Sequence, residues 1–171
     1  VAETAMLLIL ECSRNVTVLH KTWVNDFYKA KLKVRKNTLN GKTIGLIGCG
    51  NIGSRVAKRA LGFEMNVMAY DPYKPACDFP EGVEVVRDLD RIFKECDYVS
   101  LHCPNTPVTK NMVNKERLAM MKPTAFLINT ARGGCVDETA LYEACRDGII
   151  AGAGLDAIQK EPVDPANPLL T

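Results

Sequence analysis

The sequence predicts an α/β fold, a doubly wound parallel sheet with helices on both faces, preceded by N-terminal helices. Three observations carry that expectation. Short apolar runs alternate along the chain with segments of helical period. The runs are apolar throughout instead of alternating, the pattern of strands covered on both faces. The first run ends in Gly48-Cys49-Gly50-Asn51-Ile52-Gly53, a glycine-rich turn between a strand and a helix.

The elements follow in chain order. VAETAMLLILECSRN (1–15) and VLHKTWVNDFYKA (18–30) read as two helices before the first strand. TIGLIG (43–48) is a short apolar run ending in glycine, hence a strand. In NIGSRVAKRALGF (51–63), Ile52, Val56, Ala60 and Leu61 recur at helical spacing. NVMAYD (66–71) and VEVV (83–86) are the next strands, the second one weaker. LDRIFKEC (89–96) is a short helix and DYVSLHC (97–103) a strand. NKERLAMM (114–121) is a helix that stops before Pro123, since proline cannot continue one. AFLINT (125–130) is a strand, DETALYEACRDG (137–148) a helix closed by glycine, and IIAGAGLD (149–156) the last strand.

Composition narrows the function. A chain of 171 residues supports one domain with a real core, and 47% hydrophobic with 25% charged residues is ordinary for a globular protein. A net charge of +2 does not by itself call for a nucleic acid. The five basic residues of KAKLKVRK (29–36) read as a solvated surface; Trp23 and Tyr28 lie nearby, but no recognised nucleic-acid fold surrounds them. The early apolar run Ala5–Leu10 is too short to span a bilayer and is flanked by Glu3 and Glu11, not by a basic signal-peptide region, so we expect a cytoplasmic protein with no membrane partner. Seven cysteines without a Cys-x-x-Cys pair argue against both a zinc site and a disulfide framework; we expect reduced thiols and no metal.

The glycine-rich turn has the chemistry of a dinucleotide cradle, the Rossmann-type arrangement. Gly48 permits the tight turn, Gly50 lets the backbone approach a pyrophosphate, and Gly53 lets helix and strand pack closely. The free N–H groups at the helix start then point at the phosphates, with the helix dipole behind them. Asp71 follows Gly53 by eighteen residues and ends the second strand, where a carboxylate accepts from the adenosine ribose hydroxyls and repels the extra phosphate of NADP. NAD is therefore the expected cofactor, with Lys74, just past Asp71, pulling the other way.

Over nearly its whole length the chain resembles the nucleotide-binding domain of the D-isomer-specific 2-hydroxyacid dehydrogenases, closest in flavour to D-3-phosphoglycerate dehydrogenase. The likeness runs through VAE (1–3), GKTIGLIGCGNIGSRVA (41–57), the segment 101–141 containing LINTARGGCVDE (127–138), and AGAGLDAIQKEPVDPANPLL (151–170). The resemblance implies that Asn51 and Ile52 lie against the pyrophosphate and that Asp71 with Pro72 holds the adenosine ribose. It implies that Cys103, Pro104 and Thr109 border the adenine, that Thr130 and Ala131 edge the nicotinamide, and that Asp156 meets its carboxamide. Arg132 matches the arginine that binds the substrate carboxylate, and Glu161 the glutamate that pairs with a catalytic histidine. A planar, always charged guanidinium suits a 2-oxo or 2-hydroxy carboxylate. The competing reading of Arg132 is a surface salt bridge to Asp137 or Glu138.

Reduction of a carbonyl also needs a proton donor, usually histidine. The chain has only His20 and His102, and the resemblance puts the family's donor beyond the stretch equivalent to 163–171. We therefore expect residues 1–171 to be one nucleotide-binding domain, a fragment inactive by itself, with the substrate domain and the histidine segment outside it. The expected partners are a small 2-hydroxy or 2-oxo acid, possibly D-3-phosphoglycerate, and a second copy of the chain, with residues 1–40, Trp23 and Leu7–Leu10 among them, as candidate contact. An NAD-sensing module of corepressor type is the alternative.

Overall fold

The computed structural model describes residues 1–23 and 37–170. Six strands form one sheet: β1 (Thr43–Ile47), β2 (Asn66–Tyr70), β3 (Val83–Val85), β4 (Tyr98–Leu101), β5 (Phe126–Asn129) and β6 (Gly152–Leu155). All pair in parallel, in the order β3-β2-β1-β4-β5-β6. The helices are α1 (Ala2–Arg14), α2 (Val16–Trp23), α3 (Asn51–Gly62), α4 (Leu89–Glu95), α5 (Lys115–Met120) and α6 (Glu138–Arg146).

The sheet separates two cores because successive strand residues point to opposite faces. Ile44 and Leu46 of β1, Val67 and Ala69 of β2, and Ile128 of β5 pack with Ala5 and Ile9 of α1 and with Val56, Ala57 and Ala60 of α3. Ile47, Met68, Val99, Leu101 and Leu127 pack on the other face with Ile92 and Phe93 of α4, Leu118 of α5 and Leu141 of α6. Helix α4 has only seven residues and could not persist alone. It is held by fully buried Ile92 and Phe93, each contributing roughly 1.5–3 kcal/mol.

The doubly wound expectation holds on both faces, and the first N-terminal helix joins a layer of the fold. α1 ends where Asn15 turns left-handed, with φ of 51°. The expected second helix is seen over Val16–Trp23; its continuation and the basic run 29–36 lie outside the described residues. The last strand begins later than its apolar run suggests, because Ile149 N–H closes onto Ala144 O after a left-handed Gly148, so residues 149–151 are spent on the turn out of α6. No helix among the described residues is long and apolar enough to cross a membrane.

Candidate functional site

All six strands run the same way, so their carboxyl ends share one edge of the sheet, and the strand order reverses direction between β1 and β4. A crevice opens at such a switch point. Around it the helix starts are built differently. The helices α4, α5 and α6 each begin with a side-chain cap: Asp88 accepts from Asp90 N–H, Asn114 from Arg117 N–H and Asp137 from Ala140 N–H, all at 3.0 Å. Helix α3, the one that follows β1, starts at Gly50 with no side-chain cap. Its first N–H groups are left for an external acceptor, and the dipole favours an anionic one.

The three glycines divide the work. Gly48 has φ of +92°, and a Cβ there would meet the His102 carbonyl at 2.8 Å. A Cβ on Gly53 would overlap the Gly48 carbonyl oxygen, so Gly53 closes the helix onto the loop. A Cβ on Gly50 would meet nothing within 4 Å. Gly50 is therefore not demanded by the protein's own packing. The open space beside it fits the approach of a pyrophosphate to the helix start.

The loop is gripped from the end of β2. Cys49 N–H donates to Asp71 Oδ2 at 2.9 Å, and Tyr73 N–H to Asp71 Oδ1 at 3.1 Å. Each carboxylate oxygen keeps a lone pair for a further donor. Lys74 turns back onto the same loop: Nζ donates to Cys49 O at 2.7 Å and Ser54 Oγ at 3.2 Å, and sits 5.4 Å from the Phe79 ring centroid. Its charge is engaged by the loop, which weakens the sequence argument that Lys74 softens the exclusion of a ribose phosphate.

Beyond this loop lies a cavity of about 400 Å³ lined by Gly48, Gly50, Asp71, Pro72, Cys103, Pro104 and Thr109, together with Tyr70, Tyr73, His102 and Met112. Seven sequence-nominated positions thus meet in one cavity from the ends of β1, β2 and β4. Thr109 also braces its own loop, donating to Pro104 O at 2.6 Å and accepting from Thr106 N–H at 2.7 Å. Asn51 and Ile52 line neither this cavity nor the next; they form the first turn of α3, with Asn51 exposed and Ile52 half-buried.

A second cleft, about 590 Å³, is lined by Thr130, Ala131, Arg132, Asp156 and Glu161, with Asn105, Gly133, Gly134 and Gln159. Thr130 Oγ1 is buried there without a hydrogen-bond partner among the described residues, an unspent polar group of the kind a bound ligand satisfies. Arg132 is exposed, and Nη1 donates to Ala131 O at 2.7 Å. Among the described residues it forms no ion pair. Asp137 caps α6, while Glu138 accepts from Gln159 N–H at 2.5 Å and Asn167 Nδ2 at 3.3 Å, so the salt-bridge reading of Arg132 does not hold in this geometry. Glu161 is exposed on the same cleft.

Two residues that set this geometry were not singled out from sequence. Asn129, buried at the end of β5, donates from Nδ2 to Arg132 O at 3.1 Å and Ala157 O at 3.4 Å, and accepts from Ala131 N–H at 3.0 Å. A polar residue closing the apolar run of LINT was the available signal. Gly133 is the other: a Cβ there would overlap the Ile158 backbone, so the turn behind Arg132 and the segment leading to Glu161 are packed backbone to backbone. Gly133→Ala is expected to cost about 3 kcal/mol, toward the upper end of overpacking penalties, read as the urea unfolding midpoint. The control is Gly62→Ala, where a Cβ meets nothing within 4 Å. Equal midpoints for the two variants would show that this contact relaxes freely.

His102 follows β4 and lines the first cavity. Its Nε2 lies 3.0 Å from Ser100 Oγ, while Nδ1 is buried without a partner among the described residues. Burial pushes its pKa down to about 4, so the ring is neutral at pH 7 and carries no extra proton to give to a carbonyl. His20 is exposed on α2 and lines neither cleft.

The chain is similar over nearly its whole length to known proteins. Residues 6–171 match the family profile described as the NAD binding domain of D-isomer specific 2-hydroxyacid dehydrogenase. Among curated proteins, the chain is 49% identical over 162 residues to the hydroxypyruvate reductase of Thermotoga maritima, covering 95% of this chain and 52% of that protein. It is 43% identical to the D-3-phosphoglycerate dehydrogenase of Methanocaldococcus jannaschii, covering 100% of this chain and 32% of that protein. Among solved structures, the NAD-complexed D-isomer specific 2-hydroxyacid dehydrogenase of Lactobacillus delbrueckii ssp. bulgaricus superposes with a TM-score of 0.83 at 33% identity, covering 97% of this chain and 52% of that one. The chain thus spans about half or less of the length of these relatives.

Proposed function

Because the chain belongs to the D-isomer-specific 2-hydroxyacid dehydrogenase family, as its NAD-binding domain, we propose that it seats NAD(H) across the β1/β4 switch point and presents Arg132 to the carboxylate of a D-2-hydroxy or 2-oxo acid. The observation that carries this reading is the pair of adjoining clefts at the strand ends, one beside the open, uncapped start of α3 and the other holding a guanidinium with no ion pair among the described residues. The uncapped N–H groups and the space at Gly50 receive the pyrophosphate. Asp71 accepts from the adenosine ribose hydroxyls, and Cys103, Pro104 and Thr109 border the adenine. Thr130, Ala131 and Asp156 border the nicotinamide.

When bound, NAD(H) supplies or takes up the hydride. The chain's own part is to fix the geometry. Arg132 holds the substrate carboxylate and steadies the carbonyl oxygen as charge develops on it. His20 and His102 are not assigned this proton; the family resemblance gives it to a histidine that pairs with the residue matching Glu161. The substrate we favour is D-3-phosphoglycerate or a close 2-oxo or 2-hydroxy acid such as hydroxypyruvate, in line with the names of the relatives. We assign exposed Leu7 and Trp23, with exposed Val16 and Val18, to contact with a second copy of the chain; of the nominated run 7–10, Ile9 is instead buried in the core, with Leu8 and Leu10 packed against it.

Calorimetric titration of the folded chain tests the reading. NADH is expected to bind at least about tenfold more tightly than NADPH, since a phosphate on the ribose meets the Asp71 carboxylate. Absence of NADH uptake, or equal uptake of NADPH, would overturn it.

A further inference from the structure

Asn105 lies in the loop after β4, where its chain neighbours Pro104 and Thr106 line the first cavity while Asn105 itself lines the second. The loop therefore borders both clefts. The Asn105 carboxamide rests against Gly134: a Cβ on that glycine would overlap Nδ2 and would lie 3.0 Å from Cγ and 3.3 Å from Oδ1. The second glycine of the Gly-Gly turn thus makes room for the amide beside the backbone that carries Arg132. Three features define the side chain here. It is neutral, it both donates and accepts, and it makes no hydrogen bond among the described residues.

Resting on the NAD-site reading above, we propose that Asn105 is a cofactor-positioning residue that hydrogen-bonds the ribose on the nicotinamide side of the dinucleotide. A dinucleotide whose adenosine half fills the first cavity must pass this loop to bring its reactive ring to Arg132. The group that follows the pyrophosphate along that path is the second ribose. Its vicinal hydroxyls match a carboxamide, which offers one acceptor and two donors. A charged side chain at this point would bias the pyrophosphate; the amide sets the turn of the ribose without doing so. Contact here fixes the rotation of the ring that follows and so the face it shows to Arg132.

The test uses three ligands that differ by one unit each. ADP ends at the pyrophosphate, ADP-ribose adds the second ribose, and NADH adds the ring. Asn105→Leu, measured by calorimetry on the folded protein, is expected to weaken NADH and ADP-ribose about fivefold, the worth of one neutral hydrogen bond, and to leave ADP unchanged. Gly134→Ala, which displaces the amide without removing it, is expected to give the same selective loss. An equal loss for ADP would mean a general packing role and would overturn the proposal, as would unchanged ADP-ribose affinity. Failure of the unsubstituted protein to bind NADH would instead count against the NAD-site reading itself.

Discussion

Gly50→Ala is expected to leave the fold intact and to lower NADH affinity about a hundredfold. The ideal Cβ at Gly50 meets no atom within 4 Å, and the residue's φ of −70° is open to any L-amino acid. The unfolding midpoint should therefore stay within about 0.5 kcal/mol of the parent. The methyl group occupies the space that a pyrophosphate needs to reach the uncapped N–H groups of α3. Charge-assisted hydrogen bonds are worth roughly 1.5–3 kcal/mol each, so losing the approach for one or two of them gives about 2.7 kcal/mol, or two decades in affinity. Gly53→Ala behaves differently, because its Cβ overlaps the Gly48 carbonyl and the fold itself suffers. Paired denaturation and calorimetry separate the two. A Gly50→Ala protein that binds NADH normally would show that the phosphates do not sit at this helix start.

Arg132→Ala, assayed in the full gene product, is expected to lower kcat/KM for a 2-oxo acid about a thousandfold while NADH affinity changes by less than about threefold. The side chain makes one hydrogen bond, to the neighbouring Ala131 carbonyl, and no ion pair among the described residues, so its removal disturbs little in the free protein. In the complex, losing one partner of a desolvated charge pair costs about 2–5 kcal/mol; about 4 kcal/mol corresponds to the thousandfold loss. Arg132→Lys should recover only part of it, because an ammonium cannot match the two carboxylate oxygens as a planar fork does. Unchanged turnover in the alanine variant would remove Arg132 from the reaction.

The layering of the fold and the crevice at the strand ends were legible because each depends on short-range pattern. An apolar run, a glycine turn and a helical period fall within one window, and the parallel arrangement then gathers the strand ends on one edge. The grip of Asp71 and Lys74 on the two sides of Cys49 was not legible. Asp71 could be placed at a strand end, but the partner that fixes its orientation lies 22 residues away and is a backbone amide. Lys74 was read as a free charge near the ribose; a turn in the chain instead brings it back to Cys49 O. The brace by Asn129 was hidden for the same reason, since it joins the end of β5 to residue 157 through a hydrogen bond spanning 28 positions. Gly133 and Gly134 are adjacent glycines that nothing in the sequence tells apart. Their neighbours distinguish them: one is pressed by the Ile158 backbone, the other by the Asn105 side chain.

The lips of the first cavity come from the two sides of the strand order, from residues at the ends of β1 and β2 and from residues 102–112 after β4. That origin gives the cofactor a role in thermodynamic linkage. Neither lip offers the whole contact surface until β4 has aligned beside β1, so a dinucleotide that needs both binds the assembled state and not the separated halves. Ligand at about a hundred times its dissociation constant then adds about 2.7 kcal/mol to the free energy of opening the sheet at its centre. On the proposed function, added NADH is therefore expected to slow proteolysis of the folded chain.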